Sequence, residues 1–357
     1  MARIDKRLLV PGNLLLAGEY AIIYEGRVGI TIAVGPPVVV NVEKRPSFEF
    51  VGESGGGRMT WHGGKSLHKG SSLGGYEAAG SRRAAVFRSV LDVFRDRRRL
   101  SQLIEQSTAD RSEMLFTAME PLAHGEYPPV RIAVDSRPLF DTSGRKLGFG
   151  SSAASTVAAT AGLLAALDLD PVEFRPLVCA VATAAHRDLQ GGHGSGYDVA
   201  TSCYGGIGLF RGGEWTSYDH IDAFWLPPLG VLSGEYEEST AHAVQRFRET
   251  YACDSSRMET LLDRSDGAVR SIATAGSWPE ARVGLRNARE VGIEIGRRIG
   301  IPADVRRSPS APEHDRGCDD RFLKALGAGR ETVVAIPHLP GCEDRMVVRD
   351  EEGLRWA

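Results

Sequence analysis

The sequence is poor in the features that mark several large classes of protein. Its 357 residues include only five cysteines, scattered without a CxxC pair, so neither a disulfide framework nor a cysteine zinc site is indicated. Acidic residues outnumber basic ones by only 46 to 43, which excludes the strong positive bias of many nucleic-acid-binding proteins. No apolar run reaches the roughly 20 residues that cross a bilayer. We therefore expect reduced thiols, a cytoplasmic location, and binding to neither nucleic acid nor membrane.

The start of the chain also lacks the pattern of a secretory signal. The charged residues Arg3, Asp5, Lys6 and Arg7 precede a short apolar run that is broken at Pro11. A signal peptide needs a longer apolar segment, so we expect none. What the chain does contain is a large share of small and aliphatic residues, over a length that suits two domains with separate cores.

The most informative stretch is residues 144–157, with the sequence GRKLGFGSSAASTV. Small, flexible residues lead directly into an apolar segment that predicts a buried helix over 152–167. Gly148 and Gly150 allow a ligand to approach the backbone closely. The free N–H groups at the start of a helix attract anions. The pattern therefore predicts a loop that binds phosphate.

The same stretch has a plainer interpretation. Ser151 or Ser152 could simply cap the helix, while the glycines form a turn. Neither the spacing of the P-loop nor that of the dinucleotide-binding fingerprint is present. From the residues alone, the two hydroxyls could cap the helix, bind a phosphate oxygen, or hold a metal ion that lies on phosphate.

A second informative stretch has the sequence GSGYDVA at 194–200. It follows a helix predicted over 171–189 and a glycine-rich turn that contains His193. Asp198 falls in the first turn of the next predicted helix. An acid at that position either interacts favourably with the helix dipole or acts on a reacting hydroxyl group.

The remaining elements are predicted from turn signals and apolar spacing. Residues 11–13 predict a tight turn after the first strand, followed by a short apolar segment that carries Glu19 and Tyr20. The glycines at 55–57 predict a hairpin. Strands are predicted over 130–134 and 229–234, and further helices over 78–107, 241–251, 257–275, 278–300 and 319–326.

Several of these stretches resemble motifs of the GHMP kinases, a family of small-molecule kinases. KLGFGSSAA at 146–154 resembles the second motif, which wraps the triphosphate of ATP in that family. PGNLLLAGEYAIIYEG at 11–26 resembles the first motif, and Gly-Ala-Gly at 327–329 resembles the third. GSGYDVA and the Glu-Ser-Thr element at 238–240 are similar to segments of the phosphomevalonate kinases within the family.

The resemblance implies an α+β fold with two domains. These are an ATP-binding domain like domain 2 of ribosomal protein S5, over 1–220, and a ferredoxin-like domain over 221–357. It also implies ATP and Mg²⁺ as cofactors and a small anionic molecule as substrate. We expect the protein to be a monomer or a homodimer.

The resemblance further implies roles for individual residues. Asp198 would orient or deprotonate the phosphoryl acceptor, and Lys146 would supply positive charge. The residues implied to bind nucleotide are Gly148, Gly150, Ser151, Ser152 and Ala153. Those implied to hold Mg²⁺ are Ser151 or Ser152, with Glu19. Those implied to bind substrate are Asn13, Glu19, Tyr20, His193, Ser195, Gly196, Ser239, Gly327 and Arg330.

The sequence departs from the family pattern at four positions. Asn13 and Gly192 stand where the related kinases often have lysine. Arg330 and Glu331 replace small glycines of the third motif. Positive charge matters greatly in phosphoryl transfer, so compensation by Lys69, Lys146, His193 or Arg330 is expected.

The activity implied by the resemblance is transfer of the γ-phosphoryl group of ATP to 5-phosphomevalonate, which gives 5-diphosphomevalonate. Two alternatives remain open. One is a GHMP kinase that acts on mevalonate or a sugar. The other is a paralogue that binds a nucleotide without catalysing transfer.

Overall fold

A computed structural model of the chain describes most of its residues, namely 6–55, 57–62, 82–107, 111–192, 194–213, 216–233, 240–301, 303, 321–327, 332–338 and 345–357. Contacts divide the chain into two compact units. Unit 1 comprises Met1–Asn13, Pro36–Gly205 and Glu352–Ala357, and unit 2 comprises Leu14–Gly35 and Gly206–Glu351. Both units are discontinuous in the sequence, whereas the sequence analysis placed one boundary at residue 220. That boundary stays a prediction.

Helices and strands follow one another in groups along the described chain. The strands are β1 (Lys6–Ala17), β2 (Val28–Lys44), β3 (Glu49–Ser54), β4 (Gly57–His62), β5 (Val130–Asp135), β6 (Ile207–Arg211), β7 (Ser217–His220), β8 (Leu229–Ser233), β9 (Phe322–Leu326), β10 (Thr332–Ile336), β11 (Arg345–Val347) and β12 (Arg355–Trp356). The helices are α1 (Arg82–Arg95), α2 (Arg97–Ser107), α3 (Ser112–Ala123), α4 (Ser151–Ala166), α5 (Arg175–Leu189), α6 (Tyr197–Tyr204), α7 (Thr240–Tyr251), α8 (Ser255–Ala273) and α9 (Trp278–Ile299).

The sheet of unit 1 has the strand order β12-β1-β2-β5-β3-β4. β2 and β5 are antiparallel, whereas β5 and β3 are parallel. The small residues of α4 allow this helix to lie close to β5, because a Cβ on Gly162 would be only 2.7 Å from Cγ2 of Ile132. Nearly every residue of α4 after the first turn is buried. The predicted buried helix is thereby confirmed.

The last residues of the chain complete unit 1. β12 pairs with β1 in antiparallel register, with Leu8 opposite Trp356. The N–H of Leu354 donates to the carbonyl of Cys203, and the guanidinium of Arg175 donates to the carbonyl of Leu354. Residues 352–357 are therefore held by α5 and α6 as well as by the sheet.

Unit 2 contains a four-stranded antiparallel sheet of order β11-β8-β10-β9. In the same unit, residues 28–32 of β2 pair with β6, which in turn pairs with β7. Side chains from α7, α8 and α9 form an apolar core together with Tyr20 and Ala21. Among the described residues, no helix is long and apolar enough to cross a membrane.

Two local predictions were wrong. Residues 11–13 do not form a turn but lie within the continuous strand β1, where the N–H of Asn13 donates to the carbonyl of Phe149. Residues 322–326 form β9 and not a helix, since all five pair with β10. In both segments, pairing with residues distant in the sequence overrides the local signal. The predicted mixture of helices and sheets is confirmed.

Candidate active site

The loop that precedes α4 is held by a single carboxylate. Asp141 Oδ1 accepts hydrogen bonds from the Ser143 hydroxyl at 2.6 Å, the Ser143 N–H at 2.8 Å and the Arg145 N–H at 2.9 Å. These bonds, the hydroxyl bond foremost, lower the pKa of Asp141. The ionised carboxylate thus fixes the turn that leads to the predicted phosphate-binding residues.

Gly150 is the N-cap residue of α4 and has left-handed backbone angles, with φ 61° and ψ 36°. A Cβ at this position would lie 2.2 Å from Oδ1 of Asn13, so the site requires glycine on both conformational and steric grounds. No side chain caps the helix. The interpretation in which Ser151 or Ser152 serves as the N-cap is therefore wrong, and the hydroxyls are left for other partners.

Asn13 connects the loop with α6 inside unit 1. Its side chain is buried against Gly150, and Nδ2 donates to the hydroxyl of Ser202 at 3.1 Å. Asn13 and Ser202 are 189 positions apart in the sequence. Ser202 was not predicted, and no signal in the sequence connects it with Asn13.

Asp198 lies in the first turn of α6, whose N-cap residue Gly196 also has left-handed angles. One carboxylate oxygen, Oδ1, accepts from the N–H of Val199 at 2.9 Å. The other, Oδ2, lies 3.4 Å from Nδ1 of His186 in the last turn of α5. The Asp198 side chain is 16% exposed and that of His186 only 4%. Asp198 is therefore positioned by defined contacts yet remains accessible.

Arg187 holds the segment that precedes α6. Its Nε donates to the carbonyl of Gly194, and Nη2 donates to the carbonyl of Ser195, both at 2.9 Å. Burial lowers the pKa of Arg187, and the nearby negative charge of Asp198 acts in the opposite direction. The sequence analysis gave no role to His186 or Arg187. Two basic residues at the end of a helix, just before a glycine-rich turn, were the available signal.

The structure brings most of the predicted nucleotide-binding and catalytic residues into unit 1. Lys146 and Ser152 are exposed, and Ser151 is half-buried. Ser195 and Gly196 directly precede α6. Ala153 is buried in α4. The predicted residues His193, Ser239 and Arg330 lie outside the described residues, as do Lys69 and Glu331.

Three further predicted residues belong to unit 2, where Glu19 forms a buried ion pair with Lys324. The Lys324 ammonium also donates to the carbonyl of Ala325 at 3.0 Å. Burial raises the pKa of Glu19, and the charge of Lys324 partly offsets this effect. Glu19, Tyr20 and Gly327 line a small cavity beside this pair.

Tyr20 combines an unusual backbone conformation with an aromatic contact. It is a non-glycine residue with φ 62° and ψ −37°, a sparsely populated conformation that costs about 1–3 kcal/mol. Its ring stacks on Phe247 of α7 at a centroid distance of 5.1 Å. Tyr20 therefore forms part of the core of unit 2.

The donors at the start of α4 suit a triphosphate that carries Mg²⁺. Mg²⁺ prefers oxygen ligands and is commonly held by substrate phosphates together with one or two protein groups, a requirement that the hydroxyls of Ser151 and Ser152 match. Within the described part of the chain, no cluster of three or more His, Cys, Asp or Glu residues could hold a metal by itself. Glu19 is already paired with Lys324, so its predicted role as a metal ligand stays a prediction.

Comparison with known proteins identifies relatives of the chain. The family model described as the GHMP kinases N terminal domain matches residues 113–206. A curated phosphomevalonate kinase from Saccharolobus solfataricus is 28% identical over 305 residues, which are 82% of this chain and 77% of the relative.

Solved structures share the fold over almost the whole chain. A Lin0012 protein from Listeria innocua aligns with a TM-score of 0.70 at 18% identity and covers 99% of both chains. Streptococcus pneumoniae phosphomevalonate kinase, in complex with phosphomevalonate and AMPPNP, aligns at 0.61 with 15% identity and covers 94% of this chain and 92% of that one. A mevalonate kinase and a galactokinase align at 0.58 and 0.57. The predicted fold is confirmed, and the match at residues 113–206 agrees with the resemblance to the GHMP kinases.

Proposed function

We propose that the protein is an ATP-dependent kinase that converts 5-phosphomevalonate to 5-diphosphomevalonate. The observation that carries this proposal is the arrangement within unit 1, where an uncapped helix start and an accessible aspartate are connected by Asn13. The similarity to a curated phosphomevalonate kinase supports the choice of acceptor. We further propose that the enzyme works in the cytoplasm, as a monomer or a homodimer.

The start of α4 would hold the nucleotide. The backbone N–H groups of its first turn and the positive end of the helix dipole suit the phosphates of ATP. Ser151 and Ser152 would contribute hydroxyl oxygens to Mg²⁺. When bound, the Mg²⁺–ATP complex supplies the γ-phosphoryl group and neutralises part of its charge.

Asp198 would act on the acceptor. A phosphate acceptor already carries ionised oxygens near neutral pH, because its second pKa is about 6. Asp198 therefore needs only to orient 5-phosphomevalonate, whereas a hydroxyl acceptor would require it to accept a proton. Lys146 is exposed and adds positive charge next to the loop. Positioning and charge stabilisation dominate catalysis of phosphoryl transfer.

A second candidate is a nucleotide-binding protein without transferase activity. The observation in its favour is Asn13, a neutral residue at a position where a lysine would supply positive charge. The buried Asn13 amide is committed to Ser202, so it has no charge to offer to a phosphate. In this candidate, unit 1 binds ATP but no acceptor reacts.

The test is ADP release from Mg²⁺–ATP with 5-phosphomevalonate, mevalonate and several sugars, measured for the wild type and for Asp198→Ala. We expect turnover with 5-phosphomevalonate, and we expect kcat to fall by about 10²-fold in the variant, because the acceptor is no longer oriented. Turnover with only mevalonate or a sugar would reassign the substrate. A protein that is stabilised by ATP yet releases no ADP with any acceptor would support the second candidate.

A further inference from the structure

We propose that His186 is a positioning residue for phosphoryl transfer, which holds the Asp198 carboxylate in place. The proposal rests on the proposed function of the same site. Its basis is the contact between Nδ1 of His186 and Oδ2 of Asp198 at 3.4 Å. Among the described residues, His186 is the one basic side chain with a nitrogen within 4.0 Å of this carboxylate.

The two oxygens of Asp198 have different partners. Oδ1 accepts from the N–H of Val199 on its own helix, and Oδ2 faces the imidazole on α5. The first contact fixes the carboxylate relative to α6, and the second fixes it relative to α5. Because side-chain rotamers are discrete, two contacts from different helices restrict Asp198 to one orientation toward a substrate.

The burial of His186 makes this contact effective. The imidazole side chain is 4% exposed, so water hardly competes for it, and a polar contact is stronger in such surroundings than at the surface. His124 provides the contrast, since its Nε2 lies 3.8 Å from Glu120 Oε1 but its side chain is 55% exposed. An exposed pair of this kind contributes little.

Arg187, the next residue of α5, does not duplicate this contact. Its guanidinium donates to the carbonyls of Gly194 and Ser195. His186 is therefore the basic side chain at the end of α5 that lies against the Asp198 carboxylate.

The test is a double-mutant cycle in the full-length protein with His186→Leu, Asp198→Ala and the double variant, and with His124→Asn as matched control. We expect His186→Leu to lower kcat by roughly 10- to 100-fold, which lies within the coupling range for residues in contact. The KM for ATP should stay within about 2-fold, because the helix start at α4 does not include His186. In the Asp198→Ala background, His186→Leu should have no further effect on the residual rate.

His186→Asn supplies a second criterion. Its amide nitrogen can take the place of Nδ1 beside Asp198 Oδ2, so this variant should retain more activity than His186→Leu at an unchanged Tm. Equal kcat losses in both backgrounds, or equal rates for the Asn and Leu variants, would overturn the proposal. If the rate of Asp198→Ala is too low to measure, the proposal is tested by comparing kcat of His186→Asn with kcat of His186→Leu.

The two proposals can fail separately. Absence of turnover in the wild type with every acceptor would overturn the proposed function. In that case, the pair is tested by the same cycle in thermal unfolding. In that measurement, we expect the stability loss of the double variant to differ from the sum of the losses of His186→Leu and Asp198→Ala. Strictly additive losses would contradict the contact between the two side chains.

Discussion

The candidate site of unit 1 and the Glu19–Lys324 pair of unit 2 have opposite surroundings. In unit 1, α4 has an uncapped start with an exposed Ser152, and Asp198 in the first turn of α6 is 16% exposed. In unit 2, Glu19 is buried and already paired with Lys324. No side chain caps the start of α4, which suits the proposed binding of a ligand, whereas Glu19 is paired with an opposite charge, which suits a role in the fold. The comparison teaches that a match to a family motif does not by itself separate these two roles.

The largest expected effect comes from breaking the pair in unit 2. Lys324→Met leaves the Glu19 carboxylate buried without its counter-charge, which should lower the free energy of unfolding by about 3–5 kcal/mol at neutral pH. The measurement is chemical denaturation, and Lys44→Met on an exposed side chain of β2 is the control. A double variant, Glu19→Leu with Lys324→Met, should recover most of the loss. A loss in Lys324→Met no larger than in the control would assign the pair a role other than stability.

The same variant should show a pH dependence of defined sign. Burial already raises the pKa of Glu19 in the folded protein, and removal of Lys324 removes the charge that opposes this shift. A raised folded pKa favours folding while the carboxyl is protonated, and this stabilisation is lost as pH rises through the folded pKa. The deficit of Lys324→Met relative to the wild type should therefore be smaller at acid pH and grow toward pH 8. A deficit that grows on acidification would contradict this assignment.

In unit 1, the sharpest steric test is Gly150→Ala. The left-handed backbone and the close approach of Asn13 together should cost about 2–4 kcal/mol of stability, and stabilisation by ATP should be lost. Gly192→Ala is the matched control, because φ is also positive there, at 86°, but no atom lies within 4 Å of the new Cβ. The control should cost only about 1–2 kcal/mol. Equal losses in the two variants would show that Asn13 does not restrict position 150.

Asn13→Ala tests the connection between the loop and α6. It leaves the buried hydroxyl of Ser202 without its amide partner, which should cost about 1–3 kcal/mol. Addition of Ser202→Ala should cost little more, since both members of the pair are then absent. Thermal unfolding of the two single variants and the double variant measures this coupling. Additive losses would mean that the two residues stabilise unit 1 independently.

The smallest effect on stability is expected for Lys146→Met. The side chain is exposed, so the free energy of unfolding should change by no more than about 0.5 kcal/mol. The KM for the anionic acceptor should nevertheless rise, because a positive charge next to the loop is lost. An unchanged KM, with a wild-type kcat, would remove Lys146 from the predicted site.

The sequence predicted those parts of the fold that depend on local pattern. The helix after the glycine-rich loop and the helix that carries Asp198 both have composition and start signals that agree with their tertiary surroundings. The turn predicted at residues 11–13 failed because Pro-Gly-Asn suits a turn locally but lies inside β1. The helix predicted at 319–326 failed because its apolar residues form a strand paired with β10.

The contacts of the candidate site were less accessible to prediction. The hydrogen bond between Asn13 and Ser202 joins residues that are 189 positions apart in the sequence. The ion pair between Glu19 and Lys324 joins residues that are 305 positions apart. No local periodicity reports such pairs. His186 is only twelve positions before Asp198, yet their contact depends on how α5 and α6 pack. The motifs indicate which residues belong to the candidate site, whereas the packing of helices and strands determines which of their side chains are in contact.

The return of residues 352–357 to unit 1 also affects the order in which the protein can fold during synthesis. The ribosome makes residues 206–351 before the segment that pairs with β1 and receives the guanidinium of Arg175. Domains usually fold in the order in which they are translated. Here the first unit to emerge must wait, with the edge of β1 unpaired, until all of the second has been translated. The edge of β1 that faces β12 therefore gains its partner only when the last residues of the chain have been made.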